Sequence, residues 1–208
     1  MNKNPPDLSI LSLTSADRDR GHGRNSGQPD AAMAGPVGIP PRPGQVVLGD
    51  IGMHIDRHGT WHYRGSSIER QELVTLFSSV LRRDDAGDHW LITPAEMARV
   101  SVEDAAYMVV DLLIEGEGSD QTIRFRTNID AEVTLDAAHP LRVAVDAGDQ
   151  SPAPYVTLDH GLEAKLSRAV FYDLVALGVE EKIKDEQILG VWSDGDFFPM
   201  GVLPPEDE

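Results

Sequence analysis

The stretch that decides the fold is residues 51–81, IGMHIDRHGTWHYRGSSIERQELVTLFSSVL, which combines a tight hairpin with an amphipathic helix. Apolar and polar residues alternate on both sides of Asp56-Arg57-His58-Gly59, the pattern of two half-buried strands. Aspartate suits the first position of a type I turn, and glycine suits the fourth. A glycine in the left-handed region after such a turn predicts a bulged hairpin loop.

The loop type determines which side chains share a face of this hairpin. A bulged loop sets Ile55 opposite Trp61. It also sets Met53 opposite Tyr63, so that one face is apolar. A strict two-residue loop would move Trp61 to the other face, and we therefore predict the bulged loop.

A helix is predicted directly after the hairpin. Ser66 and Glu69 have the spacing of a capping box. The apolar residues after them recur at helical spacing and predict a face directed at the core. These are Leu73, Leu76, Phe77, Val80 and Leu81.

Composition excludes several classes of protein. The chain has 208 residues, is 40% hydrophobic and contains no cysteine, which excludes disulfides, thiolate nucleophiles and zinc–thiolate sites. No apolar run approaches the roughly 20 residues of a membrane span. The segment from Leu8 to Leu13 is too short and too rich in serine for a signal peptide. We therefore expect a soluble cytoplasmic protein with no membrane partner.

Residues 1–45 carry five basic and four acidic side chains, a net charge of +1, so the formal net charge of −17 leaves −18 on the rest of the chain. A folded part this acidic would repel a phosphate backbone, so polymeric nucleic acid is not an expected partner. A local cluster of arginines can still bind a small anion. The acidic surface also leaves open a basic protein partner.

Four segments are predicted along the chain: a disordered leader (1–44), an N-terminal α+β half (45–131), a C-terminal α+β half (132–203) and an acidic tail (204–208). Each half is predicted to be a mostly antiparallel sheet with one long helix. Both halves contain a strand pair, a helix, a polar loop and a strand with a tryptophan, Trp90 or Trp192. This shared order predicts an internal duplication.

Three further elements are predicted from local patterns. Thr93-Pro94-Ala95-Glu96 is typical of a helix start, because threonine caps and proline suits the first helical position. Residues 106–114 are apolar on both faces and predict a central strand. The apolar residues from Leu162 to Leu177 recur at helical spacing and predict the second long helix, which Gly178 would end.

No catalytic residue and no metal site is predicted. His54, His58 and His62 would form a metal-binding face on a helix, but on the hairpin His58 lies in the turn and the other two lie on the polar face. No phosphate-binding loop, dinucleotide fingerprint or nucleophile elbow is present. No cofactor is expected, and a hydrolase is the least favoured function.

Two arginines suggest an anion site between the halves. Arg70 lies early in the first predicted helix and Arg168 in the middle of the second. Such arginines usually cover apolar surface or pair with carboxylates. The alternative is that both point into a cleft between the halves and bind an anion through forked hydrogen bonds. Thr127 and Asn128 could add neutral polar contacts.

Several segments together resemble the bacterial domain-of-unknown-function family 1285, over about residues 49–201. They are IDRHGTW (55–61), GSSIER (65–70), LITPAE (91–96), VEDA (102–105), RTN (126–128), PYV (154–156), GLEAKLSRAVFYDL (161–174) and GVWSDGDFFPMG (190–201). Ser67 departs from the family pattern, in which proline is common. The resemblance implies a two-part α+β fold with internal duplication, whose C-terminal half is loosely like a pleckstrin-homology domain.

The resemblance implies no established activity, but it suggests a nucleotide-like ligand between the halves and a role in signalling or stress response. The matching positions at the suspected interface are Arg70, Thr93, Glu96, Thr127, Asn128, Tyr155, Arg168 and Tyr172.

The leading hypothesis is a non-enzymatic sensor or adaptor that binds a small anionic, nucleotide-like ligand. Arg70 and Arg168 would hold the charge, and Trp61 or Tyr155 would offer a stacking face. The alternative is a protein-interaction module that uses the acidic surface and the leader.

Overall fold

Two six-stranded, mostly antiparallel sheets and a third sheet of three strands make up the fold. The computed structural model describes residues 35–146 and 150–204. The first sheet, which we call the first half, lies within residues 46–102. The other two sheets lie within residues 107–202, which we call the second half.

The first half consists of two three-stranded meanders separated by one helix. Its strand order is β3-β2-β1-β6-β5-β4, in which β1 and β6 are parallel and all other neighbours are antiparallel. Its elements are β1 (Val46–Ile55), β2 (Trp61–Tyr63), β3 (Ser66–Ser67), α1 (Gln71–Val80), β4 (Leu81–Arg83), β5 (His89–Ile92) and β6 (Glu96–Val102).

The predicted register of the β1–β2 hairpin is confirmed. Ile55 pairs with Trp61, and Met53 pairs with Tyr63. Gly59 has a φ of 75°, and its N–H donates to the Asp56 carbonyl at 2.9 Å. All four paired side chains except Tyr63 are buried, which is the single apolar face that the bulged loop predicts.

The predicted start of the first helix is wrong. Ser66 belongs to β3, where it pairs with Tyr63, and α1 begins only at Gln71 after an Arg70 N-cap that makes no side-chain capping bond. Pairing with β2 satisfies the backbone of 66–67, so no capping box forms. Leu81, the last residue of the predicted helical face, lies in β4.

The predicted helix at Thr93 is also wrong, although its local hydrogen bonds form. The Thr93 hydroxyl accepts from the Glu96 N–H at 3.0 Å and from the Ala95 N–H at 3.3 Å, as a cap would. The chain then continues as β6, because Met97, Ala98 and Val100 are buried in the sheet. Residues 93–95 form the turn between β5 and β6.

The second half contains nine strands and one helix. Its larger sheet has the order β10-β11-β12-β7-β8-β9, in which only β12 and β7 are parallel, and its smaller sheet has the order β13-β14-β15. The elements are β7 (Tyr107–Glu115), β8 (Thr122–Thr127), β9 (Glu132–Thr134), β10 (Leu141–Val145), β11 (Pro152–Thr157), β12 (Glu163–Leu166), α2 (Arg168–Ala176), β13 (Val179–Ile183), β14 (Glu186–Ser193) and β15 (Asp196–Val202).

The second helix is shorter than predicted. Residues 163–166 form β12, and α2 begins at Arg168 after Ser167, whose hydroxyl accepts from the Val170 N–H at 3.4 Å. Leu162, directly before the strand, and Ala164 and Leu166 within it are buried. This alternation also contains the i, i+4 spacing of a helix. Arg168 is therefore the first residue of a helix, not a residue in its middle.

The two halves share an order of elements but join their sheets differently. In the first half, β1–β3 precede α1 and β4–β6 follow it. In the second half, β10–β12 precede α2 and β13–β15 follow it in the same way, and β7–β9 come before this set. β1 pairs with β6 in the first half, whereas β10 only lies beside β15 and β12 pairs instead with β7. The predicted division after residue 131 does not follow the sheets, because β7 and β8 pair within the second half.

A single buried cluster runs through both halves. It includes Trp61 and Phe77 from the first half and Phe125, Val156 and Leu174 from the second. Burying side chains of this size contributes about 1.5–3 kcal/mol each. Neither described helix has the length or the apolar run that a membrane span requires.

Residues 35–45, which we call the N-terminal arm, lie against the first half. Pro36 is buried, and the Val37 N–H donates to Asp84 at 2.9 Å. Of the predicted leader, residues 1–34 lie outside the described residues, as do residues 205–208 of the predicted tail.

Candidate functional site between the halves

A concavity of about 430 Å³ lies between the end of α1 in the first half and strands β7–β9 of the second. We call it the seam cleft. Its first-half wall is formed by Ser78, Ser79 and Arg82. Its second-half wall combines apolar residues such as Ile129, Val133, Leu158 and Leu162 with polar ones, which include Tyr107, Thr127, Asp136, His139, Asp159 and His160.

Arg82 is the arginine of the seam cleft. It is half-buried, and its Nη1 donates to the carbonyls of Ser79 at 3.1 Å and Leu81 at 2.6 Å. Within residues 35–146 and 150–204, no carboxylate lies within ion-pair distance of its guanidinium. A half-buried cation that is held only by carbonyl oxygens retains capacity for an anionic partner.

A second concavity of about 360 Å³ adjoins the seam cleft and shares Arg82 and His160 with it. It also contains Arg83 of β4 and Ile39 of the N-terminal arm. Arg83 Nη1 lies 3.8 Å from Glu163 Oε2, an ion pair between the halves. Two successive arginines of β4 therefore face the junction of the halves.

The first-half wall of the seam cleft contains a buried hydroxyl that has no partner among the described residues. Ser78 is 8% exposed, and its Oγ has no hydrogen-bond partner among the described residues. The hydroxyl of Tyr107 donates to the Ser78 carbonyl at 3.4 Å, and burial raises the pKa of this tyrosine. Buried hydroxyls without a partner are uncommon, because they lose their hydrogen bonds to water.

His139 and Asp136 form a hydrogen-bonded pair in the second-half wall. Asp136 Oδ1 lies 3.0 Å from His139 Nδ1, and it also accepts from the N–H groups of Ala138 and His139 at 2.9 and 2.8 Å. On the other side of the ring, His139 Nε2 lies 3.8 Å from Asp159 Oδ1. His160, the neighbour of Asp159, has a φ of 61° in the turn 159–161.

The predicted pair of arginines does not converge on this cleft. Arg70 is exposed at the N-cap of α1 and is not part of the seam cleft. Arg168 and Tyr172 line a different concavity of about 450 Å³, built only from residues of the second half. The predicted mid-helix position of Arg168 is wrong, because residues 163–166 form β12 and α2 begins at Arg168.

Neither predicted stacking residue is free to stack on a ligand in the seam cleft. Trp61 is 1% exposed and lies against Phe77 with 6.0 Å between ring centroids. The ring of Tyr155 is covered by the Arg142 guanidinium at 4.3 Å, and its hydroxyl donates to Asp104 at 2.8 Å. Trp61 is a core residue, and Tyr155 connects the second half to Asp104 in the segment between the halves.

Thr127 lines the seam cleft as an interface residue, but its hydroxyl is engaged with the backbone of Ala131. Asn128 connects the halves instead. Its Nδ2 donates to the Gly59 carbonyl at 3.1 Å, and its Oδ1 accepts from the Met108 N–H at 3.1 Å. Its carbonyl accepts from Gln71 Nε2 at 3.2 Å.

Sequence reasoning missed Arg82, His139 and His160. Arg82 comes directly after Leu81, which fitted the helical face so well that no strand was predicted there. The segment Asp136-Ala137-Ala138-His139 does contain a signal for a turn. An aspartate in this position commonly accepts hydrogen bonds from the backbone N–H groups of the residues that follow it. The polar pair His54 and His62 lies as predicted, with ring centroids 5.8 Å apart, and within the described segments no three His, Asp or Glu side chains form a metal-binding group.

Family models match both halves of the chain. Residues 43–105 match a model described as a domain of unknown function (DUF1285), N-terminal domain, and residues 106–200 match a protein of unknown function (DUF1285), C-terminal domain. The border between the models coincides with the border between the two large sheets. No curated protein matches the chain.

Two solved structures are similar. A DUF1285 family protein from Silicibacter pomeroyi DSS-3 is 38% identical with a TM-score of 0.71, over 78% of this chain and 88% of that chain. One from Shewanella baltica OS155 is 28% identical with a TM-score of 0.48, over 60% of this chain and 91% of that chain. The motifs, both family models and the 38% identical structure agree, and the chain belongs to the DUF1285 family.

Proposed function

We propose that this chain is a non-enzymatic ligand-binding protein that holds a small anion, of nucleotide-like size, in the seam cleft. The observation that carries the proposal is Arg82, a half-buried guanidinium at the junction of the halves with no carboxylate partner among the described residues. Its planar fork suits a phosphate or carboxylate group.

The size and the lining of the cleft support the same ligand class. Small-molecule sites commonly enclose roughly 300–1,000 Å³ and combine apolar walls with a few polar groups. The seam cleft has about 430 Å³, an apolar side and the unpartnered Ser78 hydroxyl. Arg82 would bind the anionic group, and Ile129 and Leu158 would contact a less polar part of the ligand.

Ligand binding at a junction of two halves is also a means of signalling. A ligand that contacts both walls stabilises their relative arrangement by its binding free energy. That is the basis on which we propose a sensor or adaptor role, in signal transduction or stress response. The pleckstrin-homology likeness of the second half and a cytoplasmic location stay predictions.

Calorimetric titration and thermal unfolding of the purified chain test the proposal. The ligands are adenosine 5′-monophosphate, ribose 5-phosphate and inorganic phosphate. At a ligand concentration of about 100 Kd, a ligand that binds only the folded chain stabilises it by about 2.7 kcal/mol. We expect Arg82→Ala to abolish this effect and Arg82→Lys to weaken it, since lysine keeps the charge and loses the fork.

Arg70→Ala and Arg168→Ala are the matched controls, because both arginines are exposed and lie outside the seam cleft. We expect both variants to bind like the wild type. Binding that survives Arg82→Ala but is lost in Arg168→Ala would move the site to the concavity beside α2. No binding by the wild type of any of the three anions would refute the proposal.

A second candidate function is a protein-interaction module for a basic partner. The net charge of −17 favours it, and the exposed acidic side chains of the β13–β14 hairpin, such as Glu180 and Glu186, are available on the surface. Capture of a partner that is lost at high salt and after removal of residues 1–34 would favour this function over ligand binding.

A further inference from the structure

Asp136 holds the ring of His139 in one orientation and determines which ring nitrogen carries the proton. Asp136 Oδ1 receives two backbone N–H groups and lies 3.0 Å from His139 Nδ1. Burial acts to raise the pKa of Asp136, but the hydrogen bonds from His139 and Ala138 outweigh it and the pKa lies below its ordinary value. An ionised carboxylate only accepts hydrogen bonds, so Nδ1 carries the proton.

The other ring nitrogen then becomes an acceptor in the seam cleft. In neutral His139 with a proton on Nδ1, Nε2 has a free lone pair. The His139 side chain is 24% exposed, and no hydrogen-bond donor among the described residues is within reach of its Nε2. The carboxylate of Asp159, 3.8 Å away, is a second acceptor in the same cleft.

The seam cleft therefore combines the Arg82 cation with two neighbouring acceptors. Arg82 attracts an anionic group, whereas a carboxylate repels one and binds hydroxyl or amine hydrogens. A plain anion satisfies only Arg82. A ligand with an anionic group and neighbouring hydroxyls satisfies all three groups.

We propose that His139 and Asp159 form a hydroxyl-recognising pair, which selects phosphorylated sugars and ribonucleotides from other small anions. Asp136 is the positioning residue: in the neutral ring it holds the proton on His139 Nδ1 and leaves Nε2 as the acceptor for this contact. The inference rests on the proposed function of the seam cleft and names the class of ligand that the cleft takes.

The binding test compares adenosine 5′-monophosphate with its 2′,3′-dideoxy counterpart, which keeps the phosphate and the base but lacks both hydroxyls. We expect the wild type to bind the dideoxy compound about tenfold or more weakly, because its acceptors would be left without donors. In His139→Phe and Asp159→Ala, we expect the two nucleotides to bind with equal affinity, because the acceptors for the hydroxyl groups are lost. The affinity for the dideoxy compound should not fall in either variant.

His58→Phe is the matched control, because His58 is exposed in the β1–β2 turn and outside the seam cleft. We expect it to keep the full discrimination. Equal affinity of the wild type for both nucleotides, lost in Arg82→Ala, would overturn the inference and leave the proposed function intact. No affinity for either nucleotide would overturn the inference, and no affinity for ribose 5-phosphate or inorganic phosphate as well would overturn the proposed function.

A measurement without ligand tests the role of Asp136. Long-range 1H–15N correlation of the wild type, at a pH where His139 is neutral, should show a proton on Nδ1 and none on Nε2. We expect Asp136→Ala to lose this preference and, with it, the discrimination against the dideoxy nucleotide. A proton on Nε2 in the wild type would overturn the inference.

Discussion

The carboxylate of Asp56 shows how a single residue closes the hairpin that begins the fold. Its Oδ1 accepts from the N–H groups of His58 at 2.8 Å and Thr60 at 2.9 Å, and its Oδ2 lies 3.1 Å from His62 Nε2. Burial acts to raise the pKa of Asp56, but these hydrogen bonds outweigh it and lower the pKa from 3.8 to about 2. The residue that starts the turn therefore also stabilises the folded state while it is ionised.

We expect Asp56 to contribute to a loss of stability in acid. Because its pKa is lower in the folded chain than in the unfolded chain, its contribution is complete above pH 3.8 and disappears as the pH falls towards about 2. The contribution is about 2 kcal/mol. Urea unfolding between pH 7 and pH 2 should show that Asp56→Asn loses less stability over this range than the wild type.

Asp173→Asn is the control, since Asp173 is an exposed carboxylate of α2. It should follow the wild-type dependence on pH. A parallel curve for Asp56→Asn and the wild type would show that the hairpin carboxylate does not contribute.

At the scale of elements, the turn between β4 and β5 organises the second concavity, which adjoins the seam cleft. Asp84 is 7% exposed, and its two oxygens accept from the N–H groups of Val37, Ala86 and Asp88 and from Trp90 Nε1. Two of these donors belong to the turn itself. The Val37 N–H belongs to the N-terminal arm. Ile39 of this arm lines the second concavity, which shares Arg82 with the seam cleft. One buried carboxylate thus connects the turn and the arm beside the second concavity.

We expect Asp84→Asn to loosen this junction. An asparagine has a single acceptor oxygen, so its amide nitrogen would face either Val37 and Trp90 or Ala86 and Asp88. Leaving buried donors without an acceptor costs about 1–3 kcal/mol. Hydrogen exchange should become faster at Val37 and Trp90, with a lower free energy of unfolding.

Asp85→Asn is the adjacent control, because the Asp85 side chain is exposed and the residue contributes to the arm through its backbone N–H. We expect wild-type exchange in this variant. Unchanged exchange in Asp84→Asn as well would mean that the arm does not depend on the carboxylate.

At the scale of the whole molecule, the two halves are joined by the β1–β2 turn. Gly59 is buried against β7, and Asn128 donates to its carbonyl at 3.1 Å. A Cβ at position 59 would lie 2.8 Å from Asn128 Nδ2 and 3.2 Å from Met108 Cγ. Gly59 therefore has two roles. It sets the register of the hairpin, and its lack of a side chain lets Asn128 and Met108 of the second half approach the turn.

We expect Gly59→Ala to destabilise the chain by about 3 kcal/mol, through backbone strain and the clash with Asn128. Gly65→Ala, also at a positive φ but with nothing within 4 Å of its Cβ, should cost about 1 kcal/mol. Chemical denaturation of both variants measures the difference. Equal losses would show that the halves tolerate a larger side chain at this contact.

The sequence by itself determined those features that depend on neighbouring residues. Asp56 and Gly59 define their turn within a few positions, and the alternation on both sides of it sets the register of Ile55 and Trp61. The Thr93 hydroxyl makes its predicted bonds for the same reason. In each case the hydrogen bonds are local, so no distant part of the chain is needed to form them.

Only the tertiary structure decided whether the chain after Ser66 and after Thr93 continues as a helix or as a strand. It also decided which polar residues lie together. Ser66 lies in a strand because β2 is beside it, and the chain after Thr93 extends because β5 and β1 pair with it. Arg82, His139 and Asp159 are far apart in the sequence, and they share a cleft because the core that both halves bury brings α1 against the second sheet. Periodicity records which face of an element is apolar, but not the element on which that face packs.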